Sequence, residues 1–285
     1  VKEWDLTYYG ELYPEKYKFK YPKAGETNST VNTFIYDLEK KESKICDLKT
    51  SDKDFYIPRI QWNNQNEFIV FKMNRLQNAL QFVKFTYGST ANVFYTETSN
   101  TYLDLDFTDF IYFLKGDNGF IKATEKSGYA HLSHYSSNGK FLKNITEGNW
   151  DITDVYGVDE NKGKIYFQAA KSSPINKGIY SVSLKGGRIS ALSKETGTHD
   201  AIFTKNYSYY IEYESDANTP VSVSLHQSNG RLVRVLEDNQ DLKNELAQYQ
   251  LNTKEFFTVK TPDATLNAWM IKPQNFDPNK QYPVL

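Results

Sequence analysis

Turn signals return along this chain at a nearly constant interval, and that interval restricts its architecture more than any other feature. Short apolar runs of alternating character occupy residues 33–38, 67–73, 109–114, 164–169, 207–213 and 231–236. Alternation over so few residues reads as strand. Between the runs stand pairs that supply positive φ at little cost, Asn118-Gly119, Asn138-Gly139, Gly186-Gly187 and Asn229-Gly230, so the strands are joined as hairpins. The last hairpin turn of each unit falls at Lys40, Gly88, Gly139, Gly187 and Gly230, giving successive spacings of 48, 51, 48 and 43 residues. A four-stranded blade with its loops takes roughly 40–50 residues and cannot bury both faces alone, so it stacks on neighbours around an axis. A β-sandwich offers as many strands but no reason for a turn to recur at this interval. The expected fold is all-β, a propeller with about five blades in this chain.

Composition agrees. The 22 Tyr and 18 Phe against 2 Met favour pleated surfaces over helices. Lys plus Arg number 34 against 35 Asp plus Glu, a formal charge of -1, which lacks the basic excess of a chain that neutralises many phosphates. Nucleic acid is therefore not an expected partner. The single cysteine, Cys46, lies in a strand-like run and reads as a small apolar filler. The 285 residues hold neither a run of about 18 apolar residues nor a charged-then-apolar leader after Val1, so no membrane span is expected within them.

Two segments break the period. Residues 1–25 carry Trp4, Tyr8, Tyr9, Tyr13, Tyr17, Phe19 and Tyr21, more aromatic surface than one hairpin buries on itself, so this ribbon is expected to pack on something else. Towards the other end, Asn239 is placed to cap a short helix whose Leu242, Leu246 and Tyr249 share one face. A hairpin outside the period follows, over 256–261 and 266–271. The expected division is a propeller portion over 1–253, including the ribbon, and the truncated start of a second domain over 254–285.

Catalytic chemistry is not proposed by any spacing. No Gly-x-Ser-x-Gly elbow occurs, and His131, His134, His199 and His226 read as hydrogen-bonded structural residues. His131 and His134 are three apart, which puts them on opposite faces of a strand and excludes a shared zinc. Asp104 and Asp106 share one face of an extended segment and could hold a cationic group, although a solvated bend before the 109–114 strand is the plainer reading. Lys40 and Lys41, flanked by Glu39 and Glu42, form a charged hairpin tip. The Asn-x-Ser/Thr triplets at Asn28, Asn144 and Asn206 act as glycan acceptors only in a eukaryotic secretory setting.

A resemblance adds what spacing cannot. Tyr13-Pro14-Glu15, followed by the stretch from Lys20 and Tyr21 through Pro22-Lys23-Ala24-Gly25-Glu26-Thr27-Asn28-Ser29, resembles the propeller of the dipeptidyl peptidase IV family. Ile60-Gln61-Trp62, Asn74-Arg75-Leu76-Gln77-Asn78, Gly148-Asn149-Trp150-Asp151, Gly197-Thr198-His199 and Val235-Leu236-Glu237-Asp238-Asn239 follow in family order, as does Lys280-Gln281-Tyr282-Pro283-Val284-Leu285. The resemblance implies part of an eight-bladed propeller joined to a C-terminal α/β-hydrolase domain that carries a Ser-Asp-His triad. It implies release of Xaa-Pro or Xaa-Ala dipeptides from peptide N-termini, with a peptide carrying Pro or Ala at its second position as substrate and with no cofactor or metal. The family's paired glutamates and oxyanion tyrosine match no residue of this chain, so no catalytic residue is assigned. Tyr102, Asp106 and Phe107 are the substrate-contact candidates it implies. Residues 1–25 resemble the family's dimer arm, which nominates Trp4, Tyr8, Tyr9 and Tyr13 for a homodimer interface. The lone cysteine and acidic balance resemble bacterial members of the Bacteroidetes type, implying a periplasmic or secreted, envelope-associated protein. The rival readings are a stand-alone propeller that binds a peptide or glycan, and the propeller of another prolyl-oligopeptidase-clan enzyme.

Overall fold

A computed structural model describes residues 1–63, 65–86 and 90–285. The turn expected at Gly88 lies outside the described residues. Strands dominate, and every strand pairing given for the named strands is antiparallel. Two ribbons come first, β1 (Glu3–Tyr8) with β2 (Glu15–Lys20) and β3 (Phe34–Asp37) with β4 (Glu42–Ile45). A five-stranded sheet follows, in which β5 (Phe55–Tyr56) and β6 (Ile60–Trp62) both pair with β7 (Phe68–Asn74), and β8 (Ala79–Phe85) and β9 (Asn92–Thr98) complete it. After the one-turn helix α1 (Leu105–Thr108) come three sheets of four strands, each strand pairing with the next in sequence. They are β10 (Ile111–Phe113) to β13 (Phe141–Asn144) through β11 (Phe120–Thr124) and β12 (His131–Tyr135); β14 (Ile152–Asp159), β15 (Lys164–Ala169), β16 (Gly178–Ser183) and β17 (Ser190–Ala191); and β18 (Thr198–Phe203), β19 (Tyr209–Ser215), β20 (Ser222–Gln227) and β21 (Leu232–Glu237). Helix α2 (Gln240–Leu246) and a hairpin of β22 (Lys254–Lys260) and β23 (Thr265–Ile271) are the last named elements. The chain divides into two compact units, Val1–Lys122 with His134–Lys143, and Ala123–Ser133 with Asn144–Leu285.

In the first unit β7 is covered on both sides. Phe68 and Val70 point into a cluster with Cys46, Val83 and Phe85, against which Ile35 packs. Ile69, Phe71 and Met73 point the other way, into a cluster with Leu80, Phe82, Phe94, Tyr95, Ile111, Phe120 and Tyr135. Because side chains alternate sides, a slip of one residue would exchange these two sets, so burial on both faces still fixes the register by shape. Rings carry the second cluster from β7 to β12: Phe71 lies 4.5 Å from Phe82, Phe82 5.5 Å from Tyr95, and Tyr95 4.8 Å from Tyr135, which stacks on Phe120 at 5.4 Å. These separations suit offset and edge-on ring pairs, which explains the aromatic composition. Polar groups enter this core with partners. The Tyr95 hydroxyl donates to the Glu97 carboxylate, and burial, then the Glu97 charge, pushes that phenol upward, so it remains a donor. The fully buried Lys122 donates to the Thr108 carbonyl, its ammonium 5.2 Å from the Phe82 ring centroid.

In the second unit Tyr166, Ile179 and Leu192 meet Ala201 and Tyr210, with Tyr156, Phe203 and Tyr207 packed against them. The Tyr210 hydroxyl donates to the Leu192 carbonyl at 2.8 Å. Cys46 is buried, and burial raises its thiol pKa, as a filler residue requires.

The recurring turns acquire a packing reason. Gly139, in the β12 to β13 turn at φ 80°, lies so close to β9 that a Cβ there would collide with the Phe94 carbonyl oxygen. Gly186 sits 3.4 Å, measured from the same notional Cβ, from the carbonyls of Asn144 and Ile145, and Gly230 3.2 Å from that of Leu192. Each turn thus rests on backbone at the end of the preceding sheet, and the turn must return once per sheet.

Two local expectations change. Asp104 and Asp106 are not on one face of an extended segment: Asp104 is the N-cap of α1, and its carboxylate accepts the Asp106 N–H at 3.0 Å, because an aspartate before a helical turn satisfies an otherwise open N–H. Asn239 occupies the N-cap of α2 in a left-handed conformation without capping through its side chain. Its amide donates instead to the Val221 carbonyl at 2.5 Å, while the Asp238 carboxylate accepts the Gln240 N–H at 2.9 Å. Leu242 is exposed, and Tyr249 lies beyond the helix end.

Substituting Gly139→Ala combines an unfavourable φ with overpacking against rigid backbone, and the expected loss is roughly 2–5 kcal/mol. Gly163→Ala, at φ 62° with open space around it, should lose only about 1–2 kcal/mol. Denaturant unfolding of the two variants checks the difference; equal losses would refute the packing role of Gly139.

Candidate functional site

The β1–β2 ribbon is two-faced. Trp4 pairs with Phe19, Leu6 with Tyr17 and Tyr8 with Glu15, whereas Glu3 pairs with Lys20, Asp5 with Lys18 and Thr7 with Lys16. One side is therefore aromatic and aliphatic and the other charged, because alternate residues face opposite sides. On the apolar side Tyr17 stacks on Phe19 at 5.9 Å and meets Tyr8 edge-on at 6.5 Å. Trp4 carries the Lys23 ammonium 3.2 Å from its ring centroid. Trp4 and Tyr8 share this face, while Tyr9 and Tyr13 stand in the tip between the strands, 78% and 80% exposed. A two-stranded ribbon buries neither of its faces, so a contiguous apolar side of this kind is a candidate interaction surface.

The other nominated residues gather around α1. Tyr102 is exposed, Asp106 is exposed in the first helical turn, and Phe107 is half-buried. Consecutive helical positions point about 100° apart, so Asp106 and Phe107 present different sides. The next residues are tied down, with Asp109 2.8 Å from the Arg59 guanidinium.

A polar centre that spacing did not reveal lies in the second unit. The Glu212 carboxylate on β19 is gripped from both neighbouring strands, by His199 Nδ1 at 2.8 Å from β18 and by His226 Nε2 at 2.9 Å from β20. These are diagonal neighbours in the register, since His199 pairs with Glu214, Glu212 with Ser224 and Tyr210 with His226. The other nitrogen of His199 faces the Thr196 carbonyl at 2.8 Å. Both ring nitrogens of His199 face oxygen atoms, an arrangement that favours the protonated ring. Burial alone would lower its pKa, but the Glu212 hydrogen bond, the Thr196 carbonyl and the Glu212 and Glu214 charges hold it above the ordinary 6.5.

Ser224 Oγ lies 2.8 Å from His226 Nε2, which brings a serine, a histidine and a glutamate together. The arrangement is nonetheless not that of a catalytic triad. A triad needs the serine on one ring nitrogen and the acid on the other, whereas here both approach Nε2 and Nδ1 faces the Gly230 carbonyl at 3.2 Å. The cluster ties three strands together.

The remaining histidines are structural too. His131 contacts Thr146 Oγ1 at 3.1 Å and the Gly148 carbonyl at 2.9 Å, with its ring edge-on to Trp150, and His134 donates to the Asn118 carbonyl at 2.7 Å. Among the described residues no group of three His, Cys, Asp or Glu is placed to hold a metal ion, and no helix is long and apolar enough to cross a membrane.

The His199 pair makes a signed prediction. A folded-state pKa above the unfolded value stabilises fully below about pH 6.5, and the contribution is lost as pH rises through the raised value. Denaturation midpoints across roughly pH 6–9 should fall more steeply in the wild type than in His199→Gln. Parallel profiles would show that the ring is not charged in the fold.

Comparison with known proteins agrees with this geometry. Residues 1–221 match the family profile described as the dipeptidyl peptidase IV (DPP IV) N-terminal region. The structure resembles the dipeptidyl peptidase 4 of Porphyromonas gingivalis, with 41% identity, a TM-score of 0.90 and coverage of 99% of this chain and 40% of that one. A putative dipeptidyl aminopeptidase IV from Bacteroides ovatus shares the fold, at 23% identity and a TM-score of 0.82 over 99% of this chain and 43% of that one. Dipeptidyl-aminopeptidase B of Aspergillus niger is 28% identical and a probable dipeptidyl-aminopeptidase B of Fusarium vanettenii 30% identical, each over 96% of this chain and 32% of the relative. The chain thus spans about a third of the length of these curated relatives. With 221 consecutive residues on that profile, the chain belongs to the dipeptidyl peptidase IV family and carries its N-terminal region.

Proposed function

We propose that this chain is the propeller portion of a serine exopeptidase that releases Xaa-Pro and Xaa-Ala dipeptides from peptide N-termini. The observation that carries the reading is the coincidence of the family profile over 1–221 with a TM-score of 0.90 to the P. gingivalis enzyme at 41% identity. In this reading the successive meanders are about five blades of an eight-bladed propeller, 1–253 is the propeller portion, and β22–β23 opens an α/β-hydrolase domain over 254–285. The triad belongs to that second domain, and the propeller controls which peptides reach it. The exposed Tyr102 and Asp106, with Phe107, contact the extended substrate. The aromatic side of the ribbon, with Trp4, Tyr8, Tyr9 and Tyr13, joins two copies into a homodimer. The likeness to proteins of Porphyromonas and Bacteroides supports a bacterial enzyme of the periplasm or cell envelope.

The test is hydrolysis of Gly-Pro p-nitroanilide. The full-length protein carrying this chain should cleave it and leave N-acetyl-Gly-Pro p-nitroanilide intact, while the purified 285-residue chain should cleave neither. Turnover by the chain alone, or an inactive full-length protein, would contradict the assignment.

A further inference from the structure

The ribbon is held at its root by one side chain from the neighbouring sheet. Arg75 stands in the turn from β7 to β8, which is itself fixed: the Asn74 side-chain oxygen accepts the N–H groups of Asn78 at 3.1 Å and Ala79 at 3.0 Å, and Gln77 N–H donates to the Asn74 carbonyl at 2.9 Å. From this turn the guanidinium forks. Nη1 lies 3.0 Å from the Asp54 carboxylate just before β5, and Nη2 donates at 2.9 Å to the carbonyl of Glu26, 49 residues away in sequence. Glu26 is the residue that grips the ribbon, since its carboxylate takes the Lys2 ammonium at 2.7 Å, while Tyr21 N–H donates to the Lys2 carbonyl at 3.1 Å. A chain of contacts therefore runs from the sheet through Arg75 and Glu26 to the first residues of β1. Two donors in one planar plane make such a fork directional, which a lysine ammonium cannot reproduce.

We infer that Arg75 is a positioning residue for the arm: by fixing Glu26 against Asp54 it sets the direction in which the Trp4, Leu6, Tyr8 and Tyr17 side is presented to a second copy of this chain, without touching that copy. This rests on the reading of the ribbon as the dimer surface. When the root is released, only a fraction of protomers hold the arm ready, and apparent affinity falls in proportion to that fraction.

The experiment uses the full-length protein and compares Arg75→Lys, which keeps the charge and loses the fork, with Tyr8→Asp, which spoils the apolar side directly. Sedimentation velocity gives the dimer dissociation constant, hydrogen exchange reports on residues 20–33, and thermal unfolding reports on the whole. Arg75→Lys should weaken the dimer about five- to tenfold and speed exchange at the root by a similar factor, with the melting temperature of the dissociated monomer unchanged. If Tyr8→Asp yields monomers while Arg75→Lys dimerises like the wild type, the positioning role is overturned and the dimer surface stands. If Tyr8→Asp remains as dimeric as the wild type, the dimer surface itself is wrong and the inference falls with it. A lower melting temperature for Arg75→Lys than for the wild type, with both measured at concentrations where they are monomeric, would also overturn it, leaving a merely structural arginine.

Discussion

Strands buried on both faces are the constraint on which the rest of this structure depends. A sheet with one wet face is stable as a layer over a core, but β7, with Phe68 and Val70 on one side and Ile69, Phe71 and Met73 on the other, requires packing from two directions. Short meanders answer that requirement by stacking, and stacking brings the last turn of one sheet onto the backbone of the sheet before it. The glycines at 139, 186 and 230 stand at such approaches, and at Gly139 the neighbouring backbone leaves no room for a side chain. The repeat in the sequence is thus the trace of a contact between sheets and not merely of strand length.

Burying so many pleated faces also buries polar groups, and the structure shows how they are accommodated. Tyr95 with Glu97, Lys122 with the Thr108 carbonyl, and Glu212 between His199 and His226 each place a charged or titratable group where water is excluded. Each is hydrogen-bonded, as the cost of burial demands. In the last of these, two histidines, a glutamate and a serine meet without the division of labour between ring nitrogens that proton transfer needs. The residue types of a hydrolytic site are present, and their arrangement makes a strut.

Much of this was legible in the residues and some was not. The Asn-Gly turns and alternating runs led directly to the sequential meanders, since a hairpin turn names both of its strands. The aromatic ribbon was visible as surface in want of a partner, and the alternation of Trp4, Leu6 and Tyr8 with Glu3, Asp5 and Thr7 separated its two sides once β2 paired in register. The Glu212 centre was hidden because it joins diagonal positions on three strands, and diagonal proximity depends on registers that turns alone do not disclose. At Asp104 the pattern of two carboxylates suggested a shared face; the local competition of an N-cap won instead. At Asn239 the preceding aspartate took the capping role and freed the amide to reach Val221.

The physical account rests on the two buried sides of β7. Alanine truncation along that strand tests it most directly, with unfolding free energy measured for Phe68, Ile69, Val70 and Phe71 in turn. The account predicts losses of roughly 2–5 kcal/mol at both odd and even positions, and near-neutral values at every second position would show that one face is open to water.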